Sequence, residues 1–484
     1  WLLAKLGKEK AAARMIKDNL ELDPFDFVSG FEVIKAENDS EKKQKMLDDL
    51  NGLMRNFQEN YLMTARDFAQ WGAYEDAVLV LKQCTKKYPM LYYYAAYYEE
   101  KMGEDEAAKK SLEKAESCAF DYCFPNKLDD IAVLTFAIEN GCKKKAPYYL
   151  GNLFYDKLQW KKSVELWEMS EKADDTFSIV HRNLALAYYN KMGDSKAAKR
   201  ELEKAFSLNR KDARIFLELD QLYKKLGYSF KERLAKYDED PSLAESRDDL
   251  YIEYITLMNM CGEYERAYRC IMGRRFHPWE GGEGKITTQY TISLLEMAKQ
   301  CLASEKYEQA EKLLKKALVY PENLGEGKLE GTKDNHLFYH LGLALEAQGK
   351  HDEAKTCFET ATIGTDEPAG AMYYNDQPAD MILYQGLAFE KLGKTREAKS
   401  RFYRLIDYGE QHLNDEGKIE YFAVSLPDFL IFDEDYTKKN RAHCCYLMAL
   451  GNIGLQNREK AAEFLNEALE IEPSHMMATL YQKQ

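Results

Sequence analysis

The chain has 484 residues, 45% hydrophobic and 31% charged, with only 11 prolines and 27 glycines, a composition that excludes disorder and supplies apolar material for an extensive core. Its 68 basic and 82 acidic residues leave a formal charge of -14, which repels a phosphate backbone where no basic patch overrides it, so nucleic acid is not an expected partner. Ten cysteines form no CxxC pair and no zinc-type ladder, and no apolar run is long enough to cross a bilayer, so neither a disulfide scaffold, a metal, a cofactor nor a membrane partner is expected. Reduced cysteines on apolar helix positions point to a cytoplasmic compartment.

From the N-terminus onward one pattern recurs: a helix-ending glycine, an alanine five residues later, and a bulky apolar residue four after that. It occurs at Gly7/Ala12/Ile16, Gly72/Ala77/Leu81, Gly103/Ala108/Leu112, Gly193/Ala198/Leu202, Gly262/Ala267/Ile271, Gly349/Ala354/Phe358 and Gly393/Ala398/Phe402. The glycine supplies a left-handed turn, the alanine allows close approach of the next helix, and the bulky residue fills the shared core. Pro24, Pro89 and Pro473 are expected to stop second helices. Gly193, Gly227 and Gly262 follow one another at 34 and 35 residues, the period of a tetratricopeptide array.

Weaker units fill the gaps: Leu150-Gly151 with Trp160 and Ser163, Tyr307 with Ala310 and Ala317, and Ala461 with Leu465 and Ala468. The unit after Gly227 is degenerate, because Glu232 stands where alanine belongs. Residues 25–60 and 121–147 are helical but off-template. The expected fold is all-α, a tetratricopeptide-like right-handed solenoid of about eleven helix pairs, each stabilised mainly by its neighbours. A six-residue first helix before Gly7 has no outer partner, which leads us to expect a chain cut from something longer. The tyrosine-rich run Leu91–Tyr98 is expected to be first-helix packing rather than a ligand-stacking surface.

Residues 1–270 keep short connections, whereas 271–484 carry long insertions at 273–286, 321–335, 364–380 and 408–440. Each falls between the second helix of one pair and the first of the next, so in a solenoid the four are expected to emerge side by side as one surface. That surface would carry His277, Trp279, Glu280, Glu283 and Lys285 from the first loop, Tyr374, Asn375, Asp376 and Asp380 from the third, and Asp428 and Asp433 from the fourth. Aromatic faces with carboxylates and an amide suit a polyhydroxylated ligand, and equally suit loops that brace a neighbouring domain around a tryptophan anchor. The Gly281–Lys285 run lacks the glycine and the Ser/Thr of a phosphate loop, and Asp433–Asp435 lacks the ligand spacing of a calcium loop. Cys444 and Cys445 beside His443 lack a third metal ligand at helical spacing.

The segments His277–Lys285, Tyr384–Ala388, Tyr421–Asp428, Phe432–Asp435 and His443-Cys444 together resemble the C-terminal part of large bacterial tetratricopeptide proteins. In that family the repeats follow an N-terminal β-rich domain similar to sandwich folds that handle sugars. The resemblance implies that the chain is the helical half of a two-part protein, whose partner is the N-terminal domain of the same full-length protein. The sequence therefore leads us to expect a non-enzymatic scaffold or interaction module that packs against that domain and helps shape its site. Two alternatives stay open: an accessory half of a carbohydrate-active enzyme, with Glu280, Glu283, Asp376 or Asp428 contributing, and a peptide-binding adaptor using the concave groove.

Overall fold

The glycines of the repeat do what the pattern requires: all seven, together with Gly227, take φ between 67° and 86°, the left-handed conformation that lets one helix stop and the next begin almost at once. The computed structural model describes residues 1–279, 281–368, 377–417 and 431–483, and among these no strand occurs. Three turns keep the left-handed geometry without glycine, at Leu158 (φ 60°), Glu305 (φ 58°) and Gln456 (φ 60°). An L side chain in that region carries about 1–2 kcal/mol of strain. These are the turns of the three weaker units, so their departure from the template is a change of residue and not of backbone.

Contacts divide the chain into two compact units, Trp1–Ala187 and Tyr188–Gln484. In the first, Phe27–Ala36 pairs with Ser40–Met54, Gln58–Gln70 with Tyr74–Gln83, Pro89–Lys101 with Asp105–Ser117, and Lys145–Asp156 with Trp160–Ala173, while Leu128–Glu139 packs between Pro89–Lys101 and Lys145–Asp156. Pro89 opens a first helix instead of stopping a second one, a position where its missing N–H costs nothing. The tyrosine run is packing: Tyr93, Tyr94 and Tyr98 are buried, with the Tyr93 hydroxyl donating to Glu116 at 2.5 Å and that of Tyr94 to Asp130 at 2.6 Å.

In the second unit the pairs are Ala213–Lys225 with Phe230–Asp238, Asp248–Cys261 with Tyr264–Met272, Lys285–Ala303 with Tyr307–Ala317, Asn335–Ala347 with His351–Ala361, Met381–Lys391 with Thr395–His412, and Tyr436–Gly454 with Arg458–Ile471. A final helix, Met476–Gln482, follows Pro473. The degenerate unit replaces small-residue packing by a buried charge cluster: Arg233, 1% exposed, donates to both Asp220 oxygens at 2.8 and 2.6 Å and to Glu253 at 2.5 Å, and Tyr237 donates to the same aspartate at 3.0 Å.

Close approach within a pair depends on a glycine in the first helix receiving a ring from the second. A Cβ on Gly386 would lie 2.3 Å from the Phe402 ring, and one on Gly454 in the next pair 2.1 Å from it. Phe402 is thus gripped from both sides. The insertions are shorter than their spacing suggests: Lys285 is the first residue of its helix, residues 408–412 finish Thr395–His412, and Asp380 sits at the N-terminal boundary of Met381–Lys391. Helical propensity at the flanks extends each helix into the stretch that breaks the repeat.

Two substitutions separate turn strain from packing. Glu305→Gly is expected to raise stability by up to about 1 kcal/mol, since relief of left-handed strain exceeds the added freedom of the unfolded chain. Gly386→Ala is expected to lower it by at least about 2 kcal/mol through overpacking against Phe402. Thermal and denaturant unfolding of the two variants checks both.

Candidate functional site

The first two long loops are joined directly. Phe276, buried at 2% exposure, donates its backbone N–H to the Asn323 carbonyl at 2.8 Å, and the Asn323 side chain returns bonds to Ile271 and Arg274 carbonyls at 2.9 and 3.0 Å. Gly284 N–H donates to Glu326 at 2.8 Å, which ties the far end of the first loop to the second. His277 is exposed, its N–H bonded to Asp248 at 2.8 Å. Trp279 is half-buried over Gly282, where a Cβ would lie 2.3 Å from the indole, and the Lys285 ammonium stands 5.7 Å from the indole centroid. Glu283 accepts the Gly281 N–H at 2.8 Å.

The end of the fourth loop goes elsewhere. Asp433 donates its N–H to Asn190 at 2.9 Å and pairs with Lys191 at 3.3 Å, Glu434 pairs with Lys225, and Phe432 stacks edge-on to Tyr189 at 4.9 Å. Glu280, Tyr374, Asn375, Asp376 and Asp428 lie outside the described residues. Among the described candidates, Asp380 lines a cavity between the late repeats.

That cavity, about 400 Å³, is walled by the first helices of four successive pairs, Lys285–Ala303, Asn335–Ala347, Met381–Lys391 and Tyr436–Gly454, and by the final helix. Successive first helices share one side of a helix-pair array, so their side chains converge. The final helix reaches the wall because its segment is fastened to repeats far back in the chain: Lys483 donates to the Met260 carbonyl, Gln289 to the Met476 sulfur at 3.4 Å, and Leu480 packs with Met260 and Ile292. Residues Leu329–Asp334 of the second loop and Pro378–Asp380 of the third border the same space.

The lining is mixed. Ile292, Leu295, Met476, Met477 and Leu480 are its apolar part, and a polar set lies among them. Asp380 is 7% exposed, and burial pushes its carboxyl up to about 6, against opposing help from nearby backbone N–H groups, Tyr446 and Lys299. The Tyr446 hydroxyl leans toward it yet makes no well-formed hydrogen bond, and is buried. Tyr481 donates to the Tyr384 hydroxyl at 2.7 Å. Lys299 pairs with Glu296 at 2.8 Å. Burial weakens its hold on the proton, but the nearby Tyr384, Glu296 and Asp380 together outweigh that and raise it.

Imidazoles complete the wall. Burial, reinforced by His340, Lys299 and Lys328, holds His336 down at about 3. Behind it His340, whose Nδ1 lies 2.7 Å from the His336 carbonyl, is held at about 3 by burial and Lys299. His443 is lowered to about 4 by burial and by His475, and His475 to about 4 by burial. Among these wall residues Asp380, Tyr384 and His443 belong to segments singled out in the sequence. The signal for the rest was available as polar residues on faces that should be apolar: His336 and His340 one turn apart, and Tyr446 three residues after His443.

These shifts make stability depend on pH in opposite directions. Each imidazole is neutral when folded and takes up a proton once unfolded, so its contribution is present above about pH 6.5 and is lost as pH falls toward about 4 for His443 and His475 and about 3 for His336 and His340. Asp380, raised from 3.8, contributes below its unfolded value and loses that contribution as pH rises through about 6. Four imidazoles outweigh one carboxylate, so the second unit is expected to lose about 1–2 kcal/mol per imidazole between pH 7.5 and pH 5. Asp380→Asn is expected to be more stable than the parent by about 2–3 kcal/mol at pH 7.5, with the difference gone at pH 4; thermal unfolding across this range measures both.

Comparison with known proteins bears on the repeats. A family model described as tetratricopeptide repeat matches residues 183–212, 336–362 and 442–475, and a second model of the same description matches 380–408. Among solved structures, the chain is similar to the TPR domain of P58(IPK), with 13% identity over 78% of this chain and 99% of that one at a TM-score of 0.24. It is also similar to a tetratricopeptide repeat protein from Parabacteroides merdae, with 18% identity over 60% and 98% at 0.25, and to the APC/C hetero-tetramer Cut9-Hcn1, with 12% identity over 100% and 94% at 0.27. At such scores the repeat assignment rests on the family models and on the helix pairs themselves. The last three matched stretches cover helices that wall the cavity. The chain is an all-helical protein containing tetratricopeptide repeats.

Proposed function

We propose that the chain is a non-enzymatic interaction module that holds an extended segment of a protein partner in the cavity between the first helices of its late repeats. The observation that carries this is the cavity itself, about 400 Å³ with a mixed apolar and polar lining supplied largely by helices. A pocket of this size that mixes apolar surface with a few convergent polar groups is the usual form of a binding site, and helix-borne groups hold their positions better than groups on loops.

The joined loops around Phe276 and Asn323 form a rim on which the rest of a partner can rest. The partner segment can come from another protein or from an N-terminal domain of the same full-length protein, for which the same rim serves as docking surface. The carbohydrate-enzyme alternative draws on Glu280, Glu283, Asp376 and Asp428. Of these, Glu283 is engaged by its own loop backbone and the other three lie outside the described residues, so no described observation favours it.

Thr288 lines the cavity and is exposed, which makes Thr288→Trp a substitution that fills the mouth without disturbing the core. Random dodecapeptides displayed on phage and selected on the full chain are expected to enrich binders that lose at least about tenfold in affinity for Thr288→Trp and keep it for the loop control His277→Ala. Selection that enriches nothing, or binders indifferent to Thr288→Trp, would overturn the reading.

A further inference from the structure

The charges around the cavity do not cancel. Lys299 is matched by Glu296 at 2.8 Å and Lys328 by Asp334 at 2.5 Å. What remains on the wall is Asp380 in the interior and Glu326 near the first loop, against Lys333. Glu326 accepts the Gly284 N–H, has no ion pair among the described residues and lies beside Glu283, and burial together with that neighbour raises its carboxyl. Asp380 makes no contact ion pair among the described residues although it is 93% removed from solvent: Lys299 acts on it only from farther off, and the Tyr446 hydroxyl, at 4% exposure, turns toward it without a well-formed hydrogen bond. A buried carboxylate with no cation in direct contact is costly, and one that a protein retains calls for an explanation.

On this basis, and resting on the binding reading above, we propose that the cavity receives a basic side chain, a lysine or arginine of the partner segment. Its cationic head meets the Asp380 carboxylate among Tyr384, Tyr446 and Tyr481, and its stem lies along Ile292, Met477 and Leu480. Each part of such a side chain finds its counterpart. Tyrosine faces attract a cation by about 0.5–2 kcal/mol according to desolvation. The aliphatic stem of Lys or Arg is apolar and packs on methionine and leucine.

The Lys299 ammonium is an internal probe of the same potential: though burial opposes it, its neighbours make it hold its proton more firmly than in water. An incoming carboxylate or phosphate would instead face Asp380 and Glu326. The formal charge of -14 on the whole chain favours encounter with a basic segment.

The test uses dodecapeptides selected on the full chain, each resynthesised with its Lys or Arg replaced by norleucine, and titrated by fluorescence polarisation against the parent and Asp380→Asn. This variant removes a buried charge and is expected to fold at least as stably as the parent at neutral pH. Norleucine is expected to weaken binding to the parent by about tenfold or more. Asp380→Asn is expected to weaken the basic peptide to the same extent and to leave the norleucine peptide unchanged, with millimolar spermidine failing to displace the peptide.

Selected peptides that lack Lys and Arg, or that bind Asp380→Asn as tightly as the parent, would overturn the basic-side-chain assignment while leaving peptide binding standing. Failure to select any peptide would overturn both. Spermidine that binds in an Asp380-dependent way and displaces the peptide would reassign the site to free polyamines and defeat the protein-borne source.

Discussion

Phe402 sits between Gly386 of its own pair and Gly454 of the next, with no room on either side for so much as a methyl group. Around it Leu383, Leu405, Leu450 and Leu465 form one continuous core. Because the ring bridges two pairs, the spacing of their first helices is set by the depth to which a phenyl group sinks into a glycine notch. Those first helices are the ones that wall the cavity. The position of Asp380, Tyr384 and Tyr446 relative to one another therefore follows from a packing contact on the far side of the same helices.

The cavity is where this regular construction admits groups that do not belong in a core. Four imidazoles held neutral, a carboxyl pushed up by burial and a cluster of tyrosines cost stability at positions that leucine would fill more favourably. The rest of the second unit carries that cost through ordinary helix-pair packing. The buried Arg233–Asp220–Glu253 cluster is a different case: one guanidinium bonds both oxygens of Asp220 and one of Glu253, and Tyr237 adds a second donor to the Asp220 Oδ2, so both buried carboxylates are in contact with a cation. The contrast between a completed polar cluster and an incomplete one is what directs attention to Asp380.

The final helix gives the second unit a feature that local repeats lack. A solenoid normally contacts only its sequence neighbours. Here Lys483 and Met476 reach Met260 and Gln289, and Phe432 and Glu434 reach Tyr189 and Lys225, across about two hundred residues. The ties of the final segment to Met260 and Gln289 close one side of the cavity, and they hold His475 against Tyr446 and Tyr481 against Tyr384.

The turns, the helix pairs and their period were legible in the sequence because each depends on residues within one unit: a glycine for the left-handed turn, an alanine for close approach, a ring for the core. Even the departures at Leu158, Glu305 and Gln456 kept the turn. The placement of the insertions was partly legible, since the first two do meet, as Phe276 and Asn323 show, while Asp433 left for a distant repeat. Local spacing says where a loop starts but not what its free end will find to pack against. Only the tertiary structure decided that Asp380, His336, Tyr446 and Tyr481 share one space, because their meeting depends on how five helices stack and on where the last one is fastened, a sum of long-range contacts that no single stretch of sequence encodes.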